Sequence, residues 1–232
     1  MPFTLNDVVP WGRSYDEYVR MFALEEPDLR LRIIGCADGP ASFNAEATRR
    51  GMRVVSCDPL YTLPAAAVRE RIDATSPEIL EETRKNAAAF VWNTIASVDE
   101  LGIVRKAAMS KFLDDYDRGL DEGRYVAAAL PELPFPDGAF DLALCSHFLF
   151  LYSERLGADF HAEAARELCR VAAEVRMFPL LSLDGERSPF VHTVSEALAE
   201  GGMDVSLEVV PYEFQRGGNQ MMRIRRRRLT AE

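Results

Sequence analysis

The chain has little of what metal and disulfide chemistry require. Its 232 residues include four cysteines and three histidines, and no two cysteines share a C-x-x-C spacing. That sparsity leaves no zinc-type ligand set and no disulfide framework. Cys36, Cys57, Cys145 and Cys169 are therefore expected as small buried thiols, with no metal. No apolar run approaches the roughly 20 residues that a bilayer-spanning helix needs. The opening segment MPFTLNDVVPWGR has neither a basic n-region nor an apolar h-region, so no signal peptide is expected and the cytoplasm is the expected location. Positive charge is short as well: 27 Lys and Arg against 37 Asp and Glu leave a net charge of −10. Nucleic acid is disfavoured as a partner, because binding it rests on neutralising phosphates. The exception is the run Arg223 to Arg228, open to two readings: an anion- or RNA-binding tail, or a last strand whose outward arginines balance an acidic body. No aromatic residues interleave there to stack bases, which favours the second.

What is present is an ordinary globular composition, 48% hydrophobic and 28% charged, at a length that suits one α/β domain with a sizeable core. The informative stretch is Arg32 to Tyr61, RIIGCADGPASFNAEATRRGMRVVSCDPLY. It reads as a strand (Arg32 to Gly35), a turn of small residues (Cys36 to Ala41), a helix (Ser42 to Arg50) and a second strand (Met52 to Cys57) that stops on Asp58. Strand, tight turn, helix, strand, acid is how an open α/β sheet builds a nucleoside site, with the acid taking the ribose hydroxyls. The turn argues against a dinucleotide. G-x-G-x-x-G is replaced by Gly35-Cys36-Ala37-Asp38-Gly39-Pro40-Ala41-Ser42, and the Asp38 carboxylate repels a diphosphate but suits a cationic ligand. S-adenosylmethionine, with its sulfonium and ammonium groups, is such a ligand.

Here the chain resembles the class I S-adenosylmethionine-dependent methyltransferases. A second block, LPELPFPDGAFDLALCSHFLFLYS from Leu130 to Ser153, is similar to that family's segment leading into the fourth strand. The resemblance covers roughly residues 31 to 226. It implies a doubly wound, mostly parallel seven-stranded sheet, S-adenosylmethionine as cofactor and methyl transfer as the activity, and says little about the acceptor. There are departures. The family's acid two residues before the glycine turn is Gly35 here, and the turn's three glycines become Ala37, Gly39 and Ala41. The acid near the end of the third strand is missing from Tyr125 to Leu130, YVAAAL. Asp38 is the candidate replacement for the first acid; for the second only the backbone at Ala129 and Leu130 remains.

Along the chain, Ser14-x-x-Glu17 forms a capping box for a helix to about Leu24. Residues 60 to 123 contain no convincing strand. Ser76-Pro77 reads as an N-cap with proline at the first helical position. Ser97-x-x-Glu100 is another capping box, ahead of Leu101, Val104, Ala108, Phe112 and Tyr116 at helical spacing. A minimal crossover needs one helix here, so 60–123 is expected as a helical cap over the acceptor pocket within a single domain of 1–232. The plainer role is packing against the sheet or forming a homodimer face. Strands follow at Arg124 to Ala129, Phe140 to Cys145 and Val175 to Leu181, with helices at Asp159 to Val171 and Thr193 to Glu200. Val205 to Phe214 and Gln220 to Arg226, joined by Arg216-Gly217-Gly218-Asn219, read as an antiparallel hairpin.

The expected cofactor contacts are Asp58 on the ribose, with Pro59 and Leu60 beside it, and Gly35, Ala37, Asp38 and Gly39 in the turn. Ala129 and Leu130 face the adenine, and Cys145 and Ser146 lie at the fourth strand's end. Arg13 is the candidate grip for the methionine carboxylate, since a guanidinium binds carboxylates in bidentate fashion. His147, where the methyl group would lie, is the candidate catalytic base, against the plainer reading of a histidine bonded to backbone at a helix start. Ser42 reads as a helix N-cap. Trp11, Tyr18, Tyr61, Phe148 and Tyr152 are candidates to line the pocket of a small-molecule acceptor. The rival readings are a non-catalytic S-adenosylmethionine-binding protein and a nicotinamide-dependent oxidoreductase; the latter lacks both the turn and a Tyr-x-x-x-Lys pair.

Overall fold

The computed structural model describes residues 9–227. Most of the segment read for a signal peptide, and Arg228 of the arginine run, lie outside them. In chain order the elements are α1 (Tyr15–Met21), β1 (Arg32–Cys36), α2 (Phe43–Arg49), β2 (Arg53–Cys57), α3 (Ala65–Lys85), α4 (Val98–Asp121), β3 (Tyr125–Val126), β4 (Phe140–Ser146), α5 (Ala158–Val171), β5 (Ala172–Phe178), α6 (Phe190–Glu200), β6 (Met203–Val209) and β7 (Gln220–Arg226). Among these residues the strands form one seven-stranded sheet in the order β3-β2-β1-β4-β5-β7-β6. All pairings are parallel except the two that β7 makes, with β5 and β6.

The central strands are buried on both faces, as a doubly wound sheet requires. Side chains alternate between two cores. Ile33, Leu142 and Leu144 face α1 and α2, whereas Ile34, Ala143 and Cys145 face α5 and α6. Between β1 and β4 the direction of winding reverses, and the crevice beyond the strand ends at such a switch point is where open α/β sheets bind ligands.

Two long helices fill the stretch between β2 and β3, packed through Val68, Ile72, Met109, Phe112 and Tyr116. The helix start expected at Ser76-Pro77 is not there. Pro77 lies inside α3, which begins after Pro64. The Ser76 hydroxyl is an interior donor to the Ile72 carbonyl (2.5 Å), not a cap. The capping box at Ser14 is complete. That at Ser97 is half formed: its hydroxyl accepts from the Glu100 amide, but the Glu100 carboxylate turns to the Ala96 amide.

Three other expectations shift. β3 is two residues long, not six. It is an edge strand paired on one side only, and the chain then leaves the sheet to wall a cavity. β5 runs from Ala172, directly off α5, and stops at Phe178. The last hairpin keeps its tight turn, closed by Gly218 N–H to Gln215 C=O at 2.8 Å with Gly217 at φ +80°, but its first strand is shorter than expected. β6 ends at Val209, and the loop that follows is held by the insertion through Val91 N–H to Phe214 C=O and Arg216 N–H to Ala89 C=O, both 2.8 Å. Phe90, Trp92 and Phe214 pack together over this junction.

The arginine run is a solvated strand face. Arg223 and Arg225 bond Glu174, and Arg227 bonds Asp204. Cys36 is in register with both Cys57 and Cys145. All four cysteines are free and buried, and no metal-holding cluster occurs among the described residues.

Candidate functional site

A cavity of about 390 Å³ opens at the switch point. Its floor is the turn after β1. Ala37 and Gly39 both have positive φ, +57° and +52°. Gly39 adopts this freely, but Ala37 does so against the clash of its Cβ, at a cost on the order of 1 kcal/mol. The Ala37 amide is already spent on the Cys57 carbonyl at 2.9 Å.

Asp38 explains the unusual Gly35. A Cβ built on Gly35 would lie 1.9 Å from Asp38 Oδ2, so the Asp38 carboxylate occupies the space that a side chain at position 35 would fill. Tyr18 donates to its Oδ1 (2.8 Å) and Ser56 to its Oδ2 (2.6 Å). Burial, reinforced by the nearby Asp58 charge, outweighs these bonds and raises its pKa to about 6. The sequence pointed to Asp38 but not to its two holders. Ser56, two residues before Asp58 and so on the same side of the chain, was the available signal.

Asp58 ends β2 with both carboxylate oxygens engaged by backbone: Oδ1 accepts from Leu60 N–H (2.8 Å) and Oδ2 from Gly39 N–H (2.9 Å). Burial raises its pKa. Each oxygen keeps a second lone pair for a ligand hydroxyl. Pro59, Leu60, Ala129, Leu130, Ser146 and His147 stand in the same wall as Arg13, Ala37, Asp38, Gly39 and Asp58.

Gly35 and Cys145 do not line the cavity. Asp38 covers the first, and the second packs in the α5 core. Tyr61 does not line it either. Its ring stacks among Phe112, Tyr116 and Tyr125, and its hydroxyl donates to the Gly39 carbonyl at 2.8 Å. Ser42 sits at the N-cap position of α2, but its hydroxyl donates to Glu46, leaving no side-chain cap.

Arg13 belongs to a strap, residues 9–13, laid across the turn. A Cβ on Gly12 would stand 2.0 Å from the Pro40 carbonyl oxygen, which marks how closely the strap is seated. Arg13 Nη1 bonds the Trp11 carbonyl (3.1 Å), whereas its buried Nε has no partner among the described residues. Burial and the neighbouring Arg105 charge lower its pKa.

His147 has φ +50° and donates its backbone N–H to the Phe178 carbonyl; no helix follows it. Its Nδ1 is 3.0 Å from Ser146 Oγ. Burial and the charges of Arg13 and Arg105 hold the imidazole well below its usual pKa, and therefore neutral at ordinary pH.

Behind the strap lies a group that the sequence reading missed. Arg105 on α4 is fully buried and pairs with Glu17 of α1 (2.6 Å), whose other oxygen accepts from Tyr212 (2.8 Å). The available signal was an arginine at the core-facing position between Leu101 and Ala108. Helices α3 and α4 turn Ile79, Thr83 and Leu101 toward the cavity, and Phe90 joins them from the connecting segment.

No family model matches the chain. It is 34% identical over 226 residues to the uncharacterised protein MJ0045 of Methanocaldococcus jannaschii, covering 96% of this chain and 98% of that protein. Among solved structures, the magnesium protoporphyrin IX methyltransferase of Synechocystis PCC 6803 with bound S-adenosylhomocysteine matches 92% of this chain and 82% of its own, at 12% identity and a TM-score of 0.50. An S-adenosylmethionine-dependent methyltransferase of Aquifex aeolicus matches 90% of each chain, at 13% identity and a TM-score of 0.42.

Proposed function

The chain belongs to the same family as the Methanocaldococcus jannaschii protein MJ0045 and has the class I methyltransferase fold, and from that premise we propose that it transfers a methyl group from S-adenosylmethionine to a small-molecule acceptor. The observation that carries this reading is the pair of carboxylates, Asp38 and Asp58, on the floor of the cavity at the switch point. A ligand seated there meets one acid at the ribose and another at a cationic group, and a diphosphate between them would be repelled.

Each residue then has a role. Asp58 accepts from the ribose hydroxyls, and Asp38 faces the ammonium group. Arg13, whose buried Nε has no partner among the described residues, grips the methionine carboxylate. Pro59, Leu60 and the backbone of Ala129 and Leu130 enclose the adenine. The cofactor supplies an electrophilic methyl group on a sulfonium. For displacement at that carbon the protein chiefly aligns the acceptor and excludes water. The strap and the helical insertion, acting as a cap, perform the exclusion. Ser146 and His147 border the methyl position, where the neutral imidazole takes the acceptor's proton.

Calorimetry with S-adenosylmethionine, S-adenosylhomocysteine and NADH tests the cofactor. Binding of the first two is expected, and NADH binding without them overturns the reading. His147→Asn, which tolerates the left-handed backbone, tests the chemistry. It is expected to lower kcat by roughly 10²-fold or more and to leave cofactor affinity unchanged. Formation of S-adenosylhomocysteine with an acceptor separates an enzyme from a protein that only binds the cofactor.

A further inference from the structure

The two halves of the cavity differ in chemistry. The half next to β1 and β2 holds both carboxylates of the wall. Across from it, beyond Ser146, the wall is aromatic: Trp11 from the strap, Phe148 and Tyr152 after β4, Phe178 at the end of β5, and Tyr212 and Phe214 after β6. Among the described residues that line this half there is no acid; the charged side chain there is the cation Arg13.

We infer that the acceptor is a ring-bearing organic acid, with a phenol-like hydroxyl or a carboxyl group, that reacts as its oxygen anion. This rests on the cofactor reading above. Rings stack edge-on or offset against such a wall, and aromatic side chains present them a large apolar surface. The charge balance points to the anion. If Arg13 takes the cofactor's carboxylate and Asp38 its ammonium group, both pairs cancel. The sulfonium is then left facing the acceptor, and the one remaining wall carboxylate, Asp58, lies in the other half on the ribose side. An ammonium acceptor would be repelled in this partly dry space, and an oxyanion attracted. The depressed proton affinity of His147 agrees with this, since a weak base matches an acidic O–H and not an aliphatic amine.

The step balances without any further reagent. The acceptor O–H proton leaves to the His147 imidazole or to water. An oxygen lone pair then forms the new bond to the methyl carbon as the carbon–sulfur bond breaks. That bond's electron pair stays on sulfur as a neutral thioether, and the product is a methyl ether or a methyl ester.

Three probes of one shape and different charge test the inference: 2-naphthoate, 2-naphthamide and 2-naphthamidine. They are titrated by calorimetry into protein saturated with sinefungin, an analogue that keeps a cationic centre where S-adenosylmethionine carries its sulfonium and methyl group. The expected order is naphthoate, amide, amidine, with naphthoate at least about ten-fold tighter than the amidine, or roughly 1.4 kcal/mol. Trp11→Ala, checked to retain sinefungin, should weaken all three by a similar factor. Equal or tighter binding of the amidine, or failure of all three probes to bind the loaded protein, overturns the inference. If sinefungin itself does not bind, it is the cofactor reading that fails.

Discussion

Asp38 is buried and Asp58 half-buried, both beyond the ends of adjacent strands, and different groups hold their carboxylates. Asp58 is held by two backbone amides, so its orientation survives without a ligand. Removing it in Asp58→Ala takes away charge-assisted bonds worth ~1.5–3 kcal/mol, or roughly 10–100-fold in S-adenosylhomocysteine affinity, measurable by calorimetry. Asp38 is held by two hydroxyls, and its pKa of about 6 means that the fold prefers it protonated. Because the native state binds that proton more tightly than the unfolded chain, stability falls as pH rises from about 4 to about 6 and is level beyond. Asp38→Asn keeps an acceptor for Tyr18 and carries no charge. It is expected to melt higher than the parent at pH 8 and to match it near pH 4. Its affinity for S-adenosylmethionine should drop at pH 8, as an acid retained for a cationic ligand implies. An unchanged difference in melting temperature across that range would refute the titration.

The insertion matters at the scale of elements. Helices α3 and α4 send side chains into the cavity, while the loop after β6 is bonded to the segment between them. Backbone pairing and the Phe90, Trp92 and Phe214 contacts tie that end of the cap to the sheet. Motion on ligand binding should therefore concentrate at the other end, near Leu63 and the start of α3. Hydrogen exchange is expected to slow over residues 59–72 when S-adenosylhomocysteine binds, and to change little at 87–92. Equal protection at 59–72 with and without ligand would remove the gating role and leave the insertion as packing.

For the whole molecule, the buried ion pair has a reach that no single element has. Glu17, Arg105 and Tyr212 bond α1, the cap and the loop after β6 together beneath the strap that carries Arg13. Arg105 keeps Glu17 far below its usual range, at about 2. That contribution is full above pH 4.5 and is lost as pH falls through about 2, the reverse of the Asp38 case. Arg105→Ala leaves a buried carboxylate unpaired and should cost about 3–5 kcal/mol in urea unfolding. Replacing Glu17 and Arg105 together by methionine should recover most of it. If the double variant is no more stable than the single one, the pair contributes more than mutual neutralisation.

What the chain determined by itself was local or periodic. The strand, turn, helix and acid from Arg32 to Asp58 are contiguous, so the crevice at the switch point was legible in their order. The helical repeat of α4 and the Ser14 capping box were legible for the same reason. Tertiary structure decided what depends on residues far apart in sequence. Pro77 reads locally as a helix start, but the burial of Val68, Ile72 and Ile79 on one face carries α3 straight through it. The turn at residues 215–218 forms where the glycines mark it, but the strand before it stops at Val209, because Phe214 and Arg216 pair their backbone with the insertion. Asp38 shows the difference most directly. Its position in the turn marked it as a candidate. Only the folded chain sets its carboxylate into the void above Gly35, between a hydroxyl eighteen residues later and one twenty residues earlier. Local preference is written in consecutive residues, whereas burial and pairing belong to space, and they settled the site.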